Sequence, residues 1–303
     1  MKGYIDMHIH STNSDGILTP IQILQEAEQT NTETISITDH DKLSTRQKLK
    51  DLSYKSDKVK IIPGAELSTD YYIDDRKVRV HLLCYGIINS NSELVKELRR
   101  MRLAREEGNR AYIKMLLNKL PFLQENDFDG FEYSKYGRLK KLILSYISLE
   151  KYTVDEQQIL IKCLEEIKPI YQKCTLEIAD AIELVKKEKG YTSFAHPYQT
   201  RLNELELRQA VKRFKEIGID AIETFHANAT LEDNTLARKI ARDNDLLESC
   251  GSDIHTHGEN ENIKNIGLGL NGNMCITETS LAQEIIENKK FFLKGIYQED
   301  IEI

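Results

Sequence analysis

"YIDMHIHSTNSDGILTPIQILQEAEQ" spans residues 4–29 and reads as one strand passing into one helix. YIDMHI is short and apolar-rich, as a strand requires. Thr19 followed by Pro20 supplies an N-cap and a first helical position for IQILQEAEQ. The same unit recurs downstream. TISIT (34–38) is a second strand, followed by the charged, helix-compatible STRQKLKDLSYK (44–55), and VKIIPGAEL (59–67) and KVRVHLLCYG (77–86) are further strands. Alternation resumes with YTSFAHP (191–197), DAIETFHA (220–227) and LLESCGSDIHTH (246–257). Each of these follows a helix-compatible stretch such as IADAIELVKKEKG (178–190), and Gly190 and Gly218 suit helix C-terminal caps. Strand–helix alternation of this kind predicts an α/β protein with a largely parallel sheet or barrel.

Between residues 92 and 173 the pattern changes. SELVKELRRMRLAREEGNRAYIKMLLNKL (92–120) and VDEQQILIKCLEEIKPIYQK (154–173) favour helix, with the loop PFLQENDFDGFEYSKYG (121–137) between them. The expected organisation is one barrel built from 1–91 and 174–303, interrupted by a mostly helical insertion over 92–173.

The 303 residues are 40% hydrophobic and 30% charged, with a net charge of −7, which suits a soluble globular protein. That charge disfavours a grip on nucleic acid through bulk positive potential, while leaving room for a short strand held locally. The sequence contains no apolar run of transmembrane length, and its start lacks the apolar core of a signal peptide. The five cysteines form no C-x-x-C pair. A reduced, cytoplasmic protein without membrane attachment is the expectation.

The eight histidines are His8, His10, His40, His81, His196, His226, His255 and His257, and every one lies at or just past a predicted strand. Strand residues i and i+2 share a face, roughly 6.5–7 Å apart, so His8 and His10 can converge on one ion. Asp253, His255 and His257 repeat that spacing. Acids accompany them: Asp15 after the first strand, Asp39 and Asp41 around His40, and Glu66 at the end of a strand. In parallel α/β folds the C-terminal strand ends form the site-bearing rim. A lone strand-end histidine is commonly just a satisfied polar residue, but eight of them with paired spacing point to a multinuclear metal site. Imidazole and carboxylate donors without thiolate suit Zn²⁺, Mn²⁺ or Fe²⁺. For His226 and His257 a structural or supporting role is an equal alternative.

In order along the chain, DMHIHSTNSDG, ITDHD, PGAELS, HLLCYG, FAHPY and GSDIHTH resemble the PHP (polymerase and histidinol phosphatase) metallophosphoesterases. The pattern is most similar to the stand-alone, nucleotide-acting members that carry a helical insertion. The resemblance implies a distorted (β/α)7 barrel with a trinuclear site, its insertion covering the active-site mouth. It also implies that His8, His10, Glu66 and Asp253 hold a first divalent ion. Glu66 then bridges to a second held by His81 and His196, and Asp15, His40 and His255 hold a third. These nine side chains are the expected metal-binding and catalytic set. The expected chemistry is hydrolysis of a nucleotide phosphomonoester, in a nucleoside bisphosphate or monophosphate, by a metal-bridging hydroxide. The alternatives are a 5′–3′ exonuclease on short RNA or DNA, a histidinol-phosphate phosphatase, and a non-catalytic metal-stabilised domain. Amide hydrolysis is a more distant possibility, without a carboxylated lysine to mark it. An Arg-Pro-His element typical of the nucleotide-acting relatives is absent from the insertion, where YGRLKK (136–141) is the nearest stretch.

Residues 96–114 carry seven basic side chains against three glutamates. They form either a solvated helix face or a phosphate clamp, since guanidinium pairs bidentately with phosphate. Arg102 and Arg105 are the candidates for substrate contact. Tyr198, after AHP, is placed to stack on a base or sugar or else to pack, and His226 and His257 complete the candidate substrate-binding set.

Overall fold

A computed structural model describes residues 2–88, 90–134, 139–167, 173–257 and 263–301. YIDMHI forms β1 (Tyr4–Ile9), and α1 (Pro20–Gln29) begins with a capping box in which Thr19 and Gln22 satisfy each other's backbone N–H groups. β2 (Thr32–Ile37), α2 (Arg46–Ser53), β3 (Lys60–Ile61), β4 (Gly64–Ile73) and β5 (Arg76–Tyr85) follow. After the insertion come β6 (Leu176–Glu177), α6 (Ile178–Lys187), β7 (Tyr191–Phe194), α7 (Glu204–Ile217), β8 (Ala221–His226), α8 (Leu231–Asp243), β9 (Leu247–Gly251) and α9 (Ser280–Glu287).

β1, β2 and β3 pair in parallel, as do β7, β8 and β9. β4 continues β3 beyond Pro63 and pairs with β5, which pairs with β7. Two parallel bridges, Ile9 to Ile254 and His40 to Glu66, join the two sheets and close the circuit into a distorted barrel. The distortion is β5, which runs antiparallel to both neighbours. Only Asp74 and Asp75 separate β4 from β5, with Asp74 at φ 51°. So short a connection makes a hairpin, because a parallel crossover needs a dozen residues or more.

β1 is buried on both faces. Ile5 and Met7 enter one hydrophobic core and Ile9 another. Ile9 packs with Ile23, Leu24 and Ile35, while Ile5 and Met7 pack with Leu83, Tyr85, Leu281 and Ile285. Each such side chain contributes about 1.5–3 kcal/mol on leaving water. The pairing with β2 shifts register between Asp6 and Ile9, and besides Ile5 and Met7 the strand also holds Asp6 and His8, with His10 just past its end, all almost wholly buried.

Residues 99–174 form one compact unit, and residues 1–98 with 175–303 form another. The unit of 99–174 contains most of α3 (Glu93–Lys119), and α4 (Leu139–Tyr146) and α5 (Val154–Glu166), around a core of Tyr112, Leu116, Phe128, Ile143, Leu160 and Leu164. Of YGRLKK, residues 136–138 lie outside the described residues. Among the described residues no helix is long and apolar enough to cross a membrane.

Candidate metal centre

Alternation along β1 turns His8 and His10 to the same side, and their Nε2 atoms face each other at 3.1 Å. Glu66, third residue of β4, reaches the same space and divides its two oxygens. Oε1 lies 2.7 Å from His81 Nδ1 and 2.8 Å from His196 Nε2. Oε2 lies 3.0 Å from His40 Nδ1, 3.2 Å from His10 Nε2 and 3.5 Å from His8 Nε2. Asp253 Oδ1 stands 3.3 Å from His10 Nε2 and 3.5 Å from His8 Nε2. Asp15, in the turn after β1, places Oδ1 3.3 Å from His255 Nε2 and Oδ2 3.8 Å from His40 Nε2. Among the described residues, His10, Asp15, His40 and His255 form one group of donor atoms within 4.8 Å of one another. His8–Glu66–His196, His8–His10–Asp253, His40–Glu66–His81 and His8–Glu223–His226 are further groups.

The backbone is bent to deliver these side chains. His196 (φ 28°), Asp253 (φ 51°) and Asp41 (φ 51°) all occupy the left-handed region, which costs non-glycine residues free energy and concentrates at functional sites. The Asp253 N–H donates to His8 O at 2.8 Å, and the Asp41 N–H to Glu66 O at 2.8 Å. Asp39 accepts from Ser11 N–H, Ser11 Oγ and Ser14 Oγ, holding the turn that carries Asp15. Asp41 accepts from Ser68 N–H and Oγ, bracing β4 beside Glu66. The two acids flanking His40 therefore brace the frame rather than join the donor groups.

The donors are arranged for cations more than for one another. Burial disfavours charge on His8 and His10, yet the carboxylates outweigh it. Glu223, Glu66 and Asp253 hold His8 well above its usual range, and Asp253 and Glu66 raise His10 to about 10. Burial, with like charge from His10 and His81, drives His40 well below its usual range. Despite burial, Glu66 and Asp253 are held well below the usual carboxylate range by the surrounding imidazoles, and Asp15 falls to about 2. Asp15 Oδ1 and His226 Nε2 are buried and make no hydrogen bond. Face-to-face imidazole nitrogens, carboxylate oxygens aimed between them and the absence of thiolate fit several divalent cations of the Mn, Zn or Fe type.

A family model described as the PHP domain matches residues 6–197. The chain belongs to the PHP domain family. It is thereby a metal-dependent phosphoesterase, a hydrolase of ester bonds. This PHP chain is 24% identical over 252 residues to a 5′-3′ exoribonuclease of Haemophilus influenzae, covering 82% of this chain and 89% of the relative. It is 26% identical over 259 residues to a phosphoribosyl 1,2-cyclic phosphate 1,2-diphosphodiesterase of Eggerthella lenta (82% and 93%). It is 25% identical over 264 residues to a 3′,5′-nucleoside bisphosphate phosphatase of Chromobacterium violaceum (84% and 88%). A solved amidohydrolase from Chromobacterium violaceum, with bound SO4 and no metal, matches 96% of this chain and 98% of its own at TM-score 0.72 and 21% identity. That likeness speaks for the fold.

All nine side chains expected in the PHP site fall within the donor groups. The candidate substrate residues are placed differently from one another. His226 joins His8 and Glu223, with Nε2 3.4 Å from Asp253 Oδ2 and Nδ1 accepting from Asn228 N–H. The Tyr198 hydroxyl lies 3.2 Å from that same Nδ1, so its polar end is turned to His226. His257 stands apart, half-exposed, with Nε2 3.5 Å from Glu26 Oε2 on α1. β9 ends at Gly251 and Asp253 is left-handed, so strand alternation does not carry through to residue 257. Arg102 and Arg105 lie on α3 in the insertion unit, and Arg105 is buried.

Two groups were not singled out from the sequence. Glu223 is fully buried in β8 and touches His8. Lys264 is buried, and its Nζ donates to Asp253 O at 2.9 Å. An acid in the middle of the apolar run DAIETFHA was the available sign of the first. Nothing local marks the second.

Proposed function

We propose that this PHP phosphoesterase hydrolyses a phosphate ester on the ribose of a nucleotide, releasing phosphate from a nucleoside bisphosphate or monophosphate. The observation that carries this reading is the shared carboxylate of Glu66, whose two oxygens serve different sets of imidazoles. Such a division suits neighbouring cations held by His8, His10 and Asp253, by His81 and His196, and by Asp15, His40 and His255. Divalent ions there would acidify a water and withdraw charge from phosphoryl oxygens.

The remaining work falls to the chain. His8 and His10 form a dry floor with no exposed side-chain surface, while His255, Asp15 and His81 are 32%, 17% and 17% exposed. A phosphate would therefore enter on the His255 and Asp15 side. His40 is kept neutral by burial and offers a lone pair without first losing a proton. Rigid backbone ties at Asp253 and Asp41 fix the donors before substrate arrives, so little reorganisation accompanies the reaction.

A second reading is stepwise 5′ shortening of short RNA. It is favoured by the likeness to the Haemophilus influenzae 5′-3′ exoribonuclease over 82% of this chain. Purified protein with Mn²⁺, assayed against 3′,5′-nucleoside bisphosphates, nucleoside monophosphates, histidinol phosphate and 5′-phosphorylated RNA oligomers, separates them. Phosphate from the bisphosphate or monophosphate without loss of RNA length supports the first reading. A 5′-end ladder supports the second. No turnover of any of them by metal-loaded protein defeats both.

A further inference from the structure

Glu223 sits inside β8, and its two oxygens meet one donor from β1 and one from the turn that follows β7. Oε1 accepts from His8 Nδ1 at 3.1 Å and Oε2 accepts from the His196 backbone N–H at 2.7 Å. In an unbroken strand, residues 223 and 226 would project to opposite faces. The β8–β9 pairing shifts register between Glu223 and Phe225, the extra-residue irregularity of a β-bulge. With that shift Glu223 and His226 both reach His8, their donor atoms within 4.8 Å of one another.

We propose that Glu223 is a positioning residue of the cation cage. It keeps the proton of His8 on Nδ1, so that the Nε2 lone pair faces His10, Glu66 and Asp253, and it anchors the backbone at His196. The proposal rests on the reading that the cage holds divalent cations. An imidazole gives a lone pair to a cation only from the nitrogen that carries no hydrogen, and the partner of the other nitrogen decides which one that is. A carboxylate can accept from both donors at once. Glutamine has one acceptor oxygen for two N–H groups. With its NH₂ toward His8, it demands an unprotonated Nδ1 and moves the proton to Nε2, where a cation should bind. With its NH₂ toward His196, it sets donor against donor.

The experiment compares wild-type protein with Glu223→Gln. Zn²⁺ affinity is measured by competition with a chromophoric chelator, and the His8 tautomer by long-range ¹H–¹⁵N NMR of the Zn²⁺-loaded wild type. The expected results are a protonated Nδ1 on His8 and a roughly 10–100-fold weaker Zn²⁺ affinity in the variant. A wild-type His8 protonated on Nε2 overturns the proposal and does so even if the variant fails to fold. Equal Zn²⁺ affinity in the two proteins overturns it as well. Wild-type protein that takes up no Zn²⁺ overturns the cation reading itself, and the proposal with it.

Discussion

Gly251 lies so close beneath His8 that a Cβ at position 251 would stand 2.1 Å from the His8 Cβ. The same Cβ would come within 2.9 Å of Glu223 Oε1 and of the His8 backbone nitrogen. Neither His8 atom is the far end of a flexible side chain, so β1 and β9 must separate to admit a methyl group. Gly251→Ala is expected to cost about 1–3 kcal/mol through overpacking, and to lower Tm and Mn²⁺ uptake together. Gly218→Ala is the control. It meets open space at φ 112°, so it should cost about 1–3 kcal/mol in backbone strain and leave Mn²⁺ uptake unchanged. Thermal melts and metal analysis of both variants check this. Full Mn²⁺ uptake by Gly251→Ala would show that the close approach does not matter.

Asp6, two residues before His8 on β1, accepts from three backbone N–H groups. Oδ1 takes those of His8 at 3.3 Å and Ser252 at 2.9 Å, and Oδ2 takes that of Gly267 at 2.9 Å. One carboxylate thus ties β1 to two segments distant in sequence. Asp6→Asn replaces one acceptor with a donor and should cost about 1–3 kcal/mol for the N–H left opposed. Asp6→Ala strands all three and should cost more. Denaturant unfolding of the pair gives the ranking. An alanine variant as stable as wild type would remove this tie from the account.

Protonation gives a third expectation, for the metal-free protein. His10 rises from 6.5 to about 10, so its contribution to stability is complete below about pH 6.5 and is lost as pH climbs toward 10. Asp15 falls from 3.8 to about 2, so its contribution is present above about pH 4 and is lost as pH drops toward 2. The Tm of metal-free protein should therefore decline on both sides of neutrality. Coordination requires His10 to give up its proton, so cation uptake near pH 7 should release protons and strengthen with pH. Melts from pH 3 to 10, with and without Mn²⁺, test this. The alkaline decline should vanish on loading, and a flat alkaline limb in metal-free protein would contradict it.

Replacing a donor should act on metal and chemistry together. Losing a partner one step removed from a metal costs about 10–100-fold in affinity or activity, so Asp253→Ala and His40→Ala should each cost at least that in turnover, with fewer ions retained. Metal analysis alongside phosphate-release assays checks both. Unchanged activity in either variant would remove that residue from the site.

Much of this was legible because strands have a period of two. His8 and His10 could be placed on one face from spacing alone, and Thr19–Pro20 marks the start of α1 at the residue where it begins. What escaped has physical reasons. Glu223 and His226 share a side only because β8 is irregular between them, and a bulge leaves no clear mark in DAIETFHA. His257 follows His255 by two residues, yet the left-handed Asp253 ends strand geometry before it, and it turns to Glu26. The reversed β5 was written in the two-residue Asp74–Asp75 connection, which fits a hairpin and no crossover. Lys264 reaches Asp253 by a tertiary contact that no local pattern encodes.

Crystals grown with Mn²⁺ and measured for anomalous scattering address the central claim most directly. The account predicts peaks inside the cage: one among His8, His10, Glu66 and Asp253, one among Glu66, His81 and His196, and one among Asp15, His40 and His255. A cage free of anomalous density, with these imidazoles and carboxylates simply bonded to each other, would contradict it.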